Sequence, residues 1–179
     1  MTRVRIVGGQ WRSRLLPVAK VPGLRPTPDR VRETLFNWLG QDLSGLSCLD
    51  LFAGTGILGL EAASRGAALV TLVERNPIAH AALREAIKTL QGARVELIRG
   101  DALEFAQKRS RRYELVFLDP PYHQGWLERI QPFLGDLIEP EGWLYVEAES
   151  PVETLGPWRT VRSGRAGQVC FQLMRGSNE

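Results

Sequence analysis

Asp119-Pro120-Pro121-Tyr122 follows an apolar run, Leu115 to Leu118, and its composition makes it a loop of hydrogen-bond acceptors. Proline has a carbonyl but no N–H, so the Asp119 carboxylate and the backbone oxygens of Asp119, Pro120 and Pro121 offer lone pairs with few donors among them. A partner must bring the donors. The Tyr122 ring adds a flat π-face, and such a face beside acceptors suits a planar heterocycle with an exocyclic amino group: guanine, adenine or cytosine. The competing reading is a plain turn, since Asp starts turns and proline fixes φ. Position favours a site, because ligands of open α/β sheets bind beyond the carboxyl ends of strands, and 113–118 reads as a strand that ends at Asp119.

A second chemical signature lies upstream. Gly54-x-Gly56-x-x-Gly59 follows the apolar run at Cys48 to Leu51, and Glu74 falls 20 residues after Gly54, the spacing at which an acid grips a ribose diol. Taken alone this spells a dinucleotide fingerprint. Its physics is generic, however: glycines allow a tight turn and close backbone approach, so any adenosine-containing cofactor could use it. A hydride-transfer enzyme would need a further substrate region and an acid/base histidine. His80 sits on a helix and His123 is alone in a loop, and few residues remain once the strands are assigned. S-adenosylmethionine (SAM) fits better, with one polar contact per strand end at Glu74, at Gly100-Asp101-Ala102 and at the acceptor loop.

The elements that must position these residues alternate between short apolar runs and amphipathic helices from Leu46 onward, the pattern of parallel βαβ units. Strands are expected at 48–51, 69–73, 95–98, 113–118 and 143–146, with a closing antiparallel pair at 158–162 and 168–174. Asn76-Pro77 opens a helix that Gly92 stops, and residues 125–134 should be helical after the acceptor loop. Upstream, 4–7 and 12–18 read as two strands around Gly8-Gly9, followed by a helix that Thr27 caps, with Pro28 in its first position and Val31, Leu35 and Leu39 on its apolar stripe.

The 179 residues are enough for one domain with a sizeable core. Cys48 and Cys170 lie far apart in apolar runs without metal-ligand spacing, so no metal is expected, and two buried thiols fit a cytoplasmic location. Net charge is +3, but residues 1–32 carry +7 and the remainder −4. A basic arm on an acidic body suits binding to a polyanion, and Arg3, Arg5, Arg12, Arg14, Arg25 and Arg30 are the candidate RNA contacts.

Leu49-Asp50-Leu51-Phe52-Ala53-Gly54-Thr55-Gly56, taken with Asp119-Pro120-Pro121-Tyr122, resembles the class I SAM-dependent amino-methyltransferases. Val7 to Arg12, Leu24 to Thr27, Asp29 to Trp38 and Tyr145-Val146-Glu147 extend the resemblance over nearly the whole chain, toward the bacterial 16S rRNA guanine-N2 methyltransferases of the RsmD type. The resemblance implies a Rossmann-like seven-stranded sheet, mostly parallel with its last strand antiparallel. It implies a basic β-hairpin extension over 1–26 that contacts RNA, on a methyltransferase domain over 27–179. SAM would be held by Asp50, by Phe52-Ala53-Gly54-Thr55-Gly56 on the methionine side, by Glu74 with Arg75 at the ribose, by Asp101 with Ala102 at the adenine, and by Asp119. Asp119, Pro120, Pro121 and Tyr122 would receive the guanine, and the partner would be 16S rRNA in the small subunit or a late precursor, together with ribosomal proteins. A methyltransferase for adenine in DNA or for protein glutamine, and a non-catalytic RNA-binding protein, are the rival readings.

Overall fold

The structure, a computed structural model, describes residues 2–108 and 111–177. A small antiparallel hairpin, β1 (Arg3–Arg5) and β2 (Leu15–Pro17), precedes helix α1 (Asp29–Leu39). Four parallel strands follow, each spaced by helix: β3 (Ser47–Asp50), α2 (Ile57–Ser64), β4 (Leu69–Glu74), α3 (Pro77–Leu90), β5 (Val95–Arg99), α4 (Ala102–Gln107) and β6 (Tyr113–Leu118). The chain continues through α5 (Trp126–Ile130), a 3₁₀ turn and α6 (Leu134–Leu137) to β7 (Ile138–Ala148), β8 (Thr154–Leu155), β9 (Trp158–Ala166) and β10 (Val169–Gly176).

The strands lie in the order β5-β4-β3-β6-β7-β10-β9-β8, and β10 runs antiparallel to both its neighbours. This is the expected α/β architecture, with the two-residue β8 added at one edge. Alternate residues of one strand feed opposite faces. Cys48, Leu115 and Phe117 pack with α1, α2, α3 and the hairpin, while Leu49, Val116 and Leu118 pack with α4, α5 and α6. Strands buried on both sides must be apolar throughout, which is why β6 reads Tyr-Glu-Leu-Val-Phe-Leu rather than alternating with polar residues.

The N-terminal strands are shorter than the sequence pattern suggests, since the stretch between them is occupied by turns. Val4, Ile6, Trp11 and Leu16 are buried in the core and anchor the hairpin at roughly 1.5–3 kcal/mol each. Helix α1 starts after Pro28 without a side-chain cap, because the Thr27 hydroxyl is engaged elsewhere, and it stops at Gly40, whose φ of 96° no L-residue takes readily. Pro140-Glu141-Gly142, just ahead of the strand expected at 143–146, lies within β7 as a bulge: Tyr113 pairs with Ile138 but Leu115 pairs with Trp143. The helix expected over 125–134 is instead the short α5, the 3₁₀ turn and the start of α6, since Pro132 lies at the junction.

Arg32 departs most from the expectation of a basic arm. It is fully buried and donates to the carbonyls of Thr27 (3.0 Å) and Arg5 (2.6 Å), to Glu61 Oε1 (2.6 Å) and to Asp29. Glu61 also accepts from the Val7 amide (2.6 Å) and from Arg65 (3.3 Å). The network joins the hairpin, α1 and α2 with complementary charges, so Arg32 is a structural bolt and not a free cation.

Candidate active site

Four strands deliver the polar groups to one end of the sheet. Asp50 ends β3, Glu74 ends β4, Asp119 follows β6 and Glu147 lies near the end of β7. All four line one cleft of about 690 Å3, together with the Phe52–Thr55 loop, Arg75, Asp101, Ala102 and Pro120 to Tyr122. Residues 21–28 form its opposite wall and bring Arg25 to the cleft.

The glycine loop is built as its spacing requires. Gly54 and Gly56 have φ of 56° and 77°, and a Cβ on Gly56 would sit 2.2 Å from Leu83. A Cβ on Gly59 would stand 2.3 Å from Leu72, so the third glycine lets α2 approach β4. Glu74 locks the loop by accepting from the Gly54 amide at 2.7 Å and from the Asn76 amide at 2.9 Å. Asp101 accepts from the Leu103 and Glu104 amides (2.9 and 3.2 Å) and so caps α4, while its other oxygen lies 3.7 Å from Arg75.

The carboxyl groups are an unusual set. Asp50 accepts one long bond from the Gly59 amide (3.3 Å), and its Oδ1 is the one buried side-chain N or O atom without a hydrogen-bond partner among the described residues. Burial, with the nearby Glu74 and Glu147 charges, pushes the Asp50 carboxyl up to about 7 against the single bond from Gly59. Burial also raises Asp119 well above the usual carboxylate range, and the Glu147 charge and a hydrogen bond to Glu147 raise it further. Glu147 is raised by burial too, but accepts from Tyr145 OH (2.7 Å) and Thr27 Oγ1 (3.1 Å). The Tyr122 phenol is pushed up to about 12, first by burial and then by the surrounding acids, so it stays neutral.

The structure thus brings the expected cofactor residues, apart from Gly56, and the acceptor loop together in one cleft. Of the six candidate RNA contacts, it brings Arg25 alone to the cleft. Arg25 lines the cleft, whereas Arg3 and Arg5 stand on the outer face of β1, Arg12 lies in the hairpin turn with Arg14 just after it, and Arg30 projects from the first turn of α1. Arg14 reaches the Thr89 carbonyl at 3.4 Å. Spacing gave no sign that Thr27 or Glu147 belongs to the site, because their bond spans 120 residues. The hints were the polar residue ending the apolar run of Leu144 to Val146 and the resemblance that runs through Leu24 to Thr27 and Tyr145-Val146-Glu147.

Among the described residues no group of acids, histidines and cysteines could hold a metal ion, and no helix is long and apolar enough to cross a membrane.

Residues 4–175 match the model of a family described as conserved hypothetical protein 95. The ribosomal RNA small subunit methyltransferase D of Escherichia coli K12 is 44% identical over 180 residues, spanning 96% of this chain and 89% of that protein. The protein of the same name from Haemophilus influenzae is 39% identical over 95% and 92% of the two chains. The solved structure of yhhF from Escherichia coli superposes with a TM-score of 0.89 at 41% identity, covering 99% of this chain and all of its own.

Proposed function

Because the chain belongs to the ribosomal RNA small subunit methyltransferase D family, we propose that it moves a methyl group from SAM to the exocyclic N2 of one guanine in 16S rRNA. The substrate on this reading is the small ribosomal subunit or a late precursor in the cytoplasm. The observation that carries the proposal is the single cleft shared by the Phe52–Thr55 loop, Glu74, Asp101 and the acceptor loop Asp119 to Tyr122.

The residues present fit SAM. Its ammonium and sulfonium are cationic, and the cleft holds Asp50, Glu74, Asp119 and Glu147. Asp50 Oδ1, buried without a donor, is suited to an ammonium. When bound, SAM supplies an electrophilic methyl carbon and a thioether leaving group. The protein supplies alignment and acceptors. In guanine the N2 lone pair is delocalised into the ring. Asp119 and the Pro120 carbonyl, by accepting its amino hydrogens, favour a pyramidal nitrogen and stabilise the positive charge that develops there. Tyr122 provides the stacking face for a base splayed out of the RNA.

Residues 1–26 are proposed as the RNA-contact extension and 27–179 as the catalytic unit, whose final two positions lie outside the described residues. The side chains of Arg3, Arg5, Arg12, Arg14, Arg25 and Arg30 are all exposed, as phosphate contacts require.

The test is nucleoside mass spectrometry of rRNA in small subunits from cells lacking this gene, before and after incubation with the protein and SAM. New N2-methylguanosine is expected. Its absence, with N6-methyladenine appearing on a DNA substrate instead, would overturn the base and the partner while keeping the cofactor.

A further inference from the structure

Glu147 has no part in the mechanism above, yet it is among the most constrained side chains of the site. It is 4% exposed, its Oε1 accepts from both Tyr145 OH (2.7 Å) and Thr27 Oγ1 (3.1 Å), and the Asp119 carboxyl lies against it. Two carboxyl groups that hydrogen-bond each other must hold a proton between them, since neither anion can donate. Glu147 also lines a second cavity, of about 550 Å3, on the far side of Pro120 to Tyr122, where it stands with Glu149, Ser150 and Glu153. Asp119 lines the first cavity and does not line the second.

We propose that Glu147 is the final acceptor of the proton that guanine N2 sheds, acting through Asp119, so that the two carboxyl groups form a relay from the cofactor cleft to the second cavity. The inference rests on the guanine-N2 reading and deepens it. When the N2–carbon bond forms, the carbon–sulfur bond breaks with its electron pair left on sulfur, and N2 becomes cationic. Asp119 takes one proton from N2 on the oxygen not engaged with Glu147, and passes the proton it already shares to Glu147. One proton leaves the base and one arrives at Glu147, from which the second cavity leads to water.

The groups acting on the pair are Asp50 at the end of β3, Tyr122 in the acceptor loop, Tyr145 on β7 and Thr27 in the wall segment. The first three are acids, and none of the four brings a cation that would drive the proton out. Thr27 and Tyr145 give Glu147 its orientation, and through Glu147 they orient Asp119.

The test is Glu147→Gln, which keeps an oxygen for Thr27 and Tyr145 but cannot take a proton. Turnover on small subunits is expected to fall about a hundredfold. KM for subunits and the calorimetric Kd of S-adenosylhomocysteine should stay within about threefold. Glu147→Asp should recover part of the rate. Wild-type kcat should decline toward low pH as the pair takes up a second proton, and that limb should vanish in Glu147→Gln. A readout free of activity is the infrared band of a neutral carboxyl in the ligand-free protein at neutral pH, recorded with Asp50→Asn so that Asp50 does not contribute. The band should be present, and Glu147→Gln should abolish it. Wild-type turnover in Glu147→Gln, or no band in Asp50→Asn protein when the wild-type protein methylates guanine, overturns the relay alone. A band in a protein that puts no methyl on guanine overturns the functional reading and leaves only a shared proton.

Discussion

Two buried ionic clusters stand in this molecule, and they are built on opposite principles. Beneath the hairpin, Arg32 and Arg65 meet Glu61 with side chains at most 4% exposed, and all three nitrogens of the Arg32 guanidinium donate. At the carboxyl ends of the strands, Asp50, Asp119 and Glu147 gather with like charge, and one oxygen is left without any donor. Burying charge is costly, and paired charges offset much of that cost where like charges compound it. The first cluster holds the fold together, whereas the second holds free energy that a cationic ligand can release.

The contrast can be broken most sharply at Asp119. Asp119→Ala should lower methyl transfer by about a thousandfold or more in an assay on small subunits, while urea unfolding shows no loss of stability. Arg32→Met should do the opposite. It removes one of the two cations that meet the buried Glu61 carboxylate and should destabilise the protein by about 3 kcal/mol in urea unfolding.

Titration distinguishes the clusters next. With the Asp50 carboxyl pushed up to about 7 in the free protein, a cationic ligand must expel its proton. SAM affinity by calorimetry should therefore fall as pH drops below about 7, by up to about tenfold per unit, and Asp50→Asn should flatten the slope. The raised carboxyl also means that its contribution to stability is present at low pH and is lost as pH rises through about 7. The smallest effect belongs to the outer face of the hairpin. Replacing Arg3 and Arg5 with Gln should weaken subunit binding only a few-fold and reduce its salt slope by about one per side chain lost.

How much of this was legible follows the range of the contacts. β6 runs over the expected 113–118 and delivers the acceptor loop to the carboxyl edge of the sheet. The 20-residue spacing from Gly54 to Glu74 was legible as a ribose grip, whereas the bond that Glu74 accepts from the Gly54 amide emerges only in the fold. Thr27 illustrates the limit. By local spacing it is a helix cap, but its hydroxyl goes to Glu147. Arg32 has the same character, a cation among other cations in sequence that finds Glu61 only when α1 and α2 pack. The like-charge cluster is assembled by strand order, and no spacing along the chain encodes it.

That strand order also constrains how the protein can be made. β10 follows β7, β8 and β9 in the chain, yet it lies inside the sheet, with ladders to β7 on one side and β9 on the other. A nascent chain that stops before residue 169 lacks an interior strand and leaves two open edges. Glu147 itself sits on β7, beside that missing strand, where Phe171 is its register partner. Translation must therefore pass residue 176 before the wall at Thr27 has a settled partner to close against.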